Sequence, residues 1–177
     1  MDVLVRTSRP GDLDRLDHSL PVQDGMPHAA CLKAQSDGKG VYFAAWDGET
    51  PIGRLFLAWT NNEIPRILDS RPHAYRFTQS PEIRDVYVAE NRRSGGIGTL
   101  LIHEAVRQAE MRGATDVTLC VETENPRALA LYERLGFEEP GIGVFTTTGT
   151  YIDGDGNEVQ WQNGPQVLLA RSSARRA

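Results

Sequence analysis

The chain is poor in cysteine and carries no long apolar run, and each shortage narrows what it can do. Its two cysteines, Cys31 and Cys120, lie far apart and match no metal or redox spacing. Both therefore read as reduced thiols of a cytoplasmic protein, and a disulfide scaffold is disfavoured. The four histidines, His18, His28, His73 and His103, form no metal-ligand spacing either, so no metal is expected. No segment approaches the ~20 apolar residues that span a bilayer. Met1-Asp2-Val3-Leu4-Val5-Arg6 lacks a basic region leading into an apolar run, and neither export nor membrane insertion is expected. Positive charge is also short: 19 Lys and Arg against 24 Asp and Glu leave a formal net charge of -5, which argues against a general nucleic-acid binder. With 40% hydrophobic and 24% charged residues over 177 positions, the composition is that of one globular domain, taken as residues 1–177.

What the chain does have is a glycine-rich turn, Arg92-Arg93-Ser94-Gly95-Gly96-Ile97-Gly98-Thr99, between a strand-like and a helix-like segment. Such a turn presents backbone N–H groups to an anion, and the helix dipole adds partial positive charge at the same place. Two phosphate motifs fail on these residues. A Walker loop needs Lys after its last glycine, but Gly98 is followed by Thr99-Leu100. A dinucleotide fingerprint needs a third glycine where Leu101 stands, which leaves only a weak match. The turn reads either as a pyrophosphate cradle or as a plain strand-to-helix connection.

Along the chain, Val3–Val5 reads as a strand, about 12–20 as a helix, and 21–40 as a broken region with a short helix near Ala29–Gln35. Val41–Trp46 and Ile52–Trp59 form a predicted hairpin around Asp47-Gly48. Residues 60–81, broken by Pro65, Pro72 and Pro81, read as a solvated loop or as a lid. Glu82–Ala89 is a strand, and Ile97, Leu100, Leu101, Ala105, Val106 and Ala109 mark the buried stripe of a helix ending near Gly113. Val117–Val121 is the next strand, and Asn125-Pro126 opens a helix stopped by Gly136. This order implies a βαβ crossover and a parallel strand pair. Strands at about 143–152 and 165–171 close the chain around Asp153-Gly154-Asp155-Gly156-Asn157. That turn imitates a calcium loop but lacks its Gly and Glu positions.

The order Val86-x-Val88, Arg93-x-x-Gly96-x-Gly98, then Asn125-x-x-Ala128-x-x-Leu131-Tyr132-x-x-x-Gly136-Phe137 resembles the GNAT family of acyl-CoA-dependent N-acetyltransferases. The match is dense over about 82–137, and Arg9–Leu13 and the Asp47–Gly53 hairpin are also similar. The resemblance implies an α/β (α+β) fold: a mixed, mostly antiparallel sheet of about 6–7 strands with splayed central strands, flanked by about four helices. It implies acetyl-CoA as co-substrate. The backbone of Tyr87 and Val88 would pair with the pantetheine arm, and Arg93, Ser94, Gly95, Gly96, Ile97, Gly98 and Thr99 would hold the pyrophosphate. Asn125 would cap its helix and reach the arm, and Tyr132 would protonate the departing thiolate.

An acceptor alkylammonium with pKa near ~10 must lose a proton before it can attack. Glu82 is the candidate base. Six residues before Val88, it shares a face with Val88 on a regular strand, and it resembles the base-bearing position of some family members; a plain exposed glutamate is the alternative. Asp85 is expected on the other face, with Glu122 and Glu124 as fallbacks. The implied reaction is direct attack of a bound amine, with oxyanion support from a strand N–H near Val88. A cysteine nucleophile is disfavoured because Cys120 has no obvious His partner. The preferred acceptor is a small-molecule primary amine; a protein N-terminus or lysine, or a non-catalytic acyl-CoA-binding module, are the alternatives. Trp46 and Trp59 read as core or sheet-face residues, whereas Trp161 lines either the acceptor pocket or a homodimer contact.

Overall fold

The structure, a computed structural model, describes residues 2–22, 25–61, 63–152 and 157–173. Asp153-Gly154-Asp155-Gly156 of the calcium-like turn lie outside the described residues. Seven strands form one mixed sheet in the order β1-β2-β3-β4-β5-β7-β6. They are β1 (Val3–Thr7), β2 (Gly40–Asp47), β3 (Thr50–Ala58), β4 (Glu82–Val88), β5 (Asp116–Glu122), β6 (Val144–Ile152) and β7 (Glu158–Ser172). Only β4 and β5 pair in parallel; every other neighbouring pair is antiparallel. Among the described residues five α-helices accompany them: α1 (Leu13–Ser19), α2 (His28–Ser36), α3 (Ile64–Ile67), α4 (Ile97–Met111) and α5 (Pro126–Arg134). This is the mixed, mostly antiparallel architecture with splayed centre that the sequence implied.

Alternating side chains of β3 divide the molecule. Leu55 and Leu57 face one side, where Ile97, Leu101, Ala105 and Ala109 of α4 bury against them, with Tyr132 of α5 and Phe137 in the same core. Phe56 and Ala58 face the other side, where Leu16 and Leu20 pack with Cys31, Leu32 and Trp46 under α1 and α2. The stripe on α4 differs from the expected one by one residue. Ile102 is buried whereas Leu100 is 44% exposed, because at 100° per residue Leu100 lies about 140° from Ala105, the centre of the stripe. Gly113, at φ 84°, ends the helix as expected, with the Ala114 N–H returning to the Ala109 carbonyl at 3.1 Å.

Residues 60–81 are neither a solvated loop nor a free lid. Ile64, Ile67, Ala74 and Phe77 are buried against Ile142, Phe145 and Leu168 in a third core. The basic residues on their outer side are spent on backbone. Arg66 donates to Thr148 O, Arg71 to Ile142 O and Val144 O, His73 contacts Gly141 O, and Arg76 donates to Pro140 O. The segment is a strap tied to residues 140–142 and to Val144 and Thr148 of the edge strand β6. Strand β7 starts at Glu158 and not near 165, because its pairing with β6 runs out to Glu158↔Ile152 and overrides the turn-like Asn163-Gly164-Pro165. Trp46 is core, Trp59 packs against the α4 side, and Trp161 lies over Gly149 with the Arg66 guanidinium 4.9 Å from its ring centre.

Gly53 sits where α4 comes closest to the sheet. A Cβ there would stand 3.0 Å from Tyr87 O, 3.1 Å from Leu101 Cδ1 and 3.2 Å from Ile97 Cγ2. Gly53→Val is therefore expected to lower the unfolding free energy by about 1–3 kcal/mol in a urea titration. Unchanged stability would show that the helix retreats without loss.

Candidate active site

The parallel pairing of β4 with β5 covers Glu82↔Thr118 and Ile83↔Leu119 and then stops. Beyond it the strands diverge, and a cleft of about 700 Å³ opens between the half-buried end of β4, the start of α4 and the side of α5. On its other edge β4 stays paired with β3, but the register slips: Phe56 faces Arg84 while Arg54 faces Tyr87. Three steps on β4 match two on β3, which is a β-bulge, and Asp85 takes it up at φ 51°.

The bulge overturns the parity expected for Glu82. Its partner Ala58 faces the α1–α2 side, as does Arg54, the partner of Tyr87, whereas Val88 lies opposite Gly53 on the α4 side. Glu82 and Val88 thus point to opposite faces, and the extra residue is the physical reason. Asp85, expected away from Glu82, turns to Glu82's side instead: its carboxylate meets the Met26 N–H at 3.5 Å and abuts Gly25. Glu82 is 2% exposed and does not line the cleft. Arg84 Nε donates to its Oε2 at 2.5 Å, and Arg84 Nη2 pairs with the same oxygen. Glu122 and Glu124 are exposed and also lie outside the cleft wall.

The glycine turn is built as a cradle. After Arg93 the chain passes through left-handed backbone at Ser94 (φ 67°) and Gly96 (φ 80°), and α4 begins at Ile97 with no side chain capping it. The first backbone N–H groups of such a helix have no partner of their own and aim at its N-terminal end. Tyr87, Val88, Arg93, Ser94, Gly96, Ile97, Gly98, Thr99, Asn125 and Tyr132 all line the cleft; Gly95 does not. Asn125 Oδ1 accepts from the Ala128 N–H at 3.1 Å, so the capping role is present. Tyr132 is 8% exposed, its ring edge-on to Phe137, and burial pushes its phenol up to about 12.

Arg92, the first residue of the glycine turn, also lines the cleft, as do Arg127 and Arg134, which the sequence reading did not single out; with Arg93 they make four arginines in a wall that holds no Asp or Glu. Arg127, Leu131 and Arg134 stand at helical spacing on α5, and that column is the signal that identifies the second wall. In a chain of net charge -5, a wall charged only by arginine favours an anion. Arg92 pairs with Asp47 at 2.8 Å, and Arg93 donates to Val88 O at 3.1 Å while leaning over the Tyr87 ring. Among the described residues no cluster of metal-binding side chains occurs, and no helix is long and apolar enough to cross a membrane.

Residues 11–137 match the profile of the Acetyltransferase (GNAT) family. The chain is 47% identical over 111 residues to an uncharacterized N-acetyltransferase of Methanocaldococcus jannaschii, covering 63% of this chain and 43% of that protein. It is 34% identical over 123 residues to a mycothiol acetyltransferase of Corynebacterium efficiens, covering 68% of this chain and 36% of that one. The chain thus spans less than half the length of these two relatives. Among solved structures, the PaiA N-acetyltransferase of Thermoplasma acidophilum in complex with coenzyme A superposes with a TM-score of 0.61 at 15% identity. The match covers 97% of this chain and 99% of that chain, a likeness of fold.

Neither thiol is poised to react. Burial pushes Cys31 up to about 12, with Asp85 adding to the shift, and burial beside Glu82 and Glu63 holds Cys120 well above the ordinary thiol range. At about pH 8 both therefore remain thiols. A thiol reagent is expected to label the folded protein far more slowly than the denatured chain; rapid labelling of Cys120 when folded would contradict this.

Proposed function

Because the chain belongs to the acetyltransferase (GNAT) family, we propose that it transfers an acetyl group from acetyl-coenzyme A to a primary amine of a small-molecule acceptor. The observation that carries this reading is the open seam between β4 and β5, ending at an uncapped helix N-terminus in a wall charged only by arginine. An extended, amide-bearing arm can add to the edge of a diverged strand, and a diphosphate suits the turn beside it. Tyr87 and Val88 offer backbone to such an arm, and Ser94, Gly96, Ile97, Gly98 and Thr99 offer N–H groups to the diphosphate, with Gly96 and Gly98 leaving room for close approach. Asn125 is held at the rim by its own capping bond. When bound, the coenzyme supplies an acetyl group activated as a thioester.

The chain's own residues then handle the protons. Tyr132 Oη keeps its proton at neutral pH, because burial holds the phenol near about 12, and it can release that proton at the cleft wall. Glu82 is the proposed acceptor of the proton lost by the amine. It stands on the other face of the sheet from α5, in the last paired stretch of β4 and β5 before the two strands part. Acceptor and coenzyme are accordingly expected to enter from opposite faces. The relative from Corynebacterium efficiens is named for mycothiol, which supports a small acceptor over a polypeptide.

Thiol release from acetyl-coenzyme A, followed over a panel of small amines and peptides, tests the reading. Small amines are expected to drive turnover; turnover with peptides alone would move the acceptor to proteins, and none with any amine would leave a binding module. Tyr132→Phe is expected to lower kcat by about 10²–10³-fold with KM for the coenzyme changed less than about twofold. Because the phenol titrates only near about 12, kcat between about pH 6 and 10 should show no basic limb due to Tyr132.

A further inference from the structure

We propose that Arg127 recognises the ribose 3′-phosphate of the coenzyme and sets a preference for it over 3′-dephospho-coenzyme A; this rests on the coenzyme reading above. The coenzyme carries two separate anionic groups, and the glycine turn with the first N–H groups of α4 makes a backbone cradle for one of them. A second, doubly charged monoester has no such cradle left and calls for side-chain cations. Of the arginines in the wall, Arg92 is balanced by Asp47, and Arg93 is bound to the Val88 carbonyl and lies 3.8 Å from Glu90. Arg127 and Arg134 have no carboxylate partner among the described residues, and of these two Arg127 is the one bound to the glycine turn: its Nη2 donates to the neutral Ser94 hydroxyl at 2.7 Å.

That bond reaches across the cleft from the first turn of α5 to the outer end of the glycine turn, three residues before α4 begins. The arginine is exposed, lines the cleft and is bound to Ser94, three residues before the first N–H groups of α4. An anion seated on those N–H groups therefore leaves Arg127 to whatever emerges next to it. A guanidinium fork presents two parallel donors to a phosphate, and exchanging a hydroxyl for a dianion strengthens its bonds.

Calorimetric titration of the wild-type protein and of Arg127→Gln with coenzyme A and with 3′-dephospho-coenzyme A tests this without turnover. The wild type is expected to bind coenzyme A about tenfold more tightly than the dephospho form. Arg127→Gln should bring the two within about twofold by weakening only the former, with an unchanged thermal midpoint. Equal affinity of the wild type for both ligands, or an equal loss of both in the variant, would overturn the assignment. If the wild type bound neither, the coenzyme reading itself would fall and the assignment with it.

Discussion

A single extra residue in β4 bends the strand away from β5, and the cleft exists because of that divergence. The residue is accommodated at Asp85, held at φ 51°, a conformation that costs of order 1 kcal/mol for anything but glycine and least for Asp and Asn. Local structure holds it there. The Asp85 carboxylate is met by the Met26 N–H, and it fits only because Gly25, itself at φ 105°, has no Cβ; one placed there would stand 2.1 Å from Asp85 Oδ1. The loop before α2 is thus shaped around the bulge, and strain at one point of the backbone is balanced by packing at another.

From that bend follow the two features on which chemistry can be built. Strand β4 loses its β5 partner after Ile83, so its later peptide groups face an open seam, and α4 begins beside the same seam. Gly53 lets α4 lie close against β3 at that level, which brings the unfilled N–H groups of its first turn level with Val88. Electrostatics then agree with geometry. A chain with five more acidic than basic residues gathers four arginines and no carboxylate in the wall of this cleft. Steering of an anion toward it would weaken with salt, as any field acting over about 10 Å does.

Much of this was legible in the residues. The glycine turn, the stripe of α4, the Asn-Pro start and glycine stop of α5 and the alternating strands all carry local signals: positive φ, capping and periodicity. What was not legible had no local signal. Nothing in Glu82-Ile83-Arg84-Asp85-Val86-Tyr87-Val88 marks an extra residue, and strict alternation places Glu82 with Val88; the register with β3 alone separates them. The strap over 60–81 looked solvated because its arginines suggest water, yet they end on the carbonyls of 140–148, a pairing of distant segments. Strand β7 was cut short at a Gly-Pro step that cross-strand pairing tolerates. In the cleft, the residues bearing backbone and phenol were readable from motifs, whereas Arg127 and Arg134 became visible only when α5 was seen as a wall.

Glu82 is a buried carboxylate held by a cation of its own strand. At 2% exposure an unpaired carboxylate would lose several kcal/mol of hydration. Arg84, two residues along the same strand, donates from Nε to Glu82 Oε2 and offsets that loss. The Arg84 side chain keeps 22% of its surface open, but its Nη2 is buried, so the charged ends of the pair meet away from water. Thr118 and Cys120 of β5 lie on the same face, where the seam starts. Arg84 fixes the orientation of this carboxylate, in the last paired stretch of β4 before it parts from β5. The bend at Asp85 thus opens the sheet and also sets Glu82 and Val88 on opposite faces of the strand.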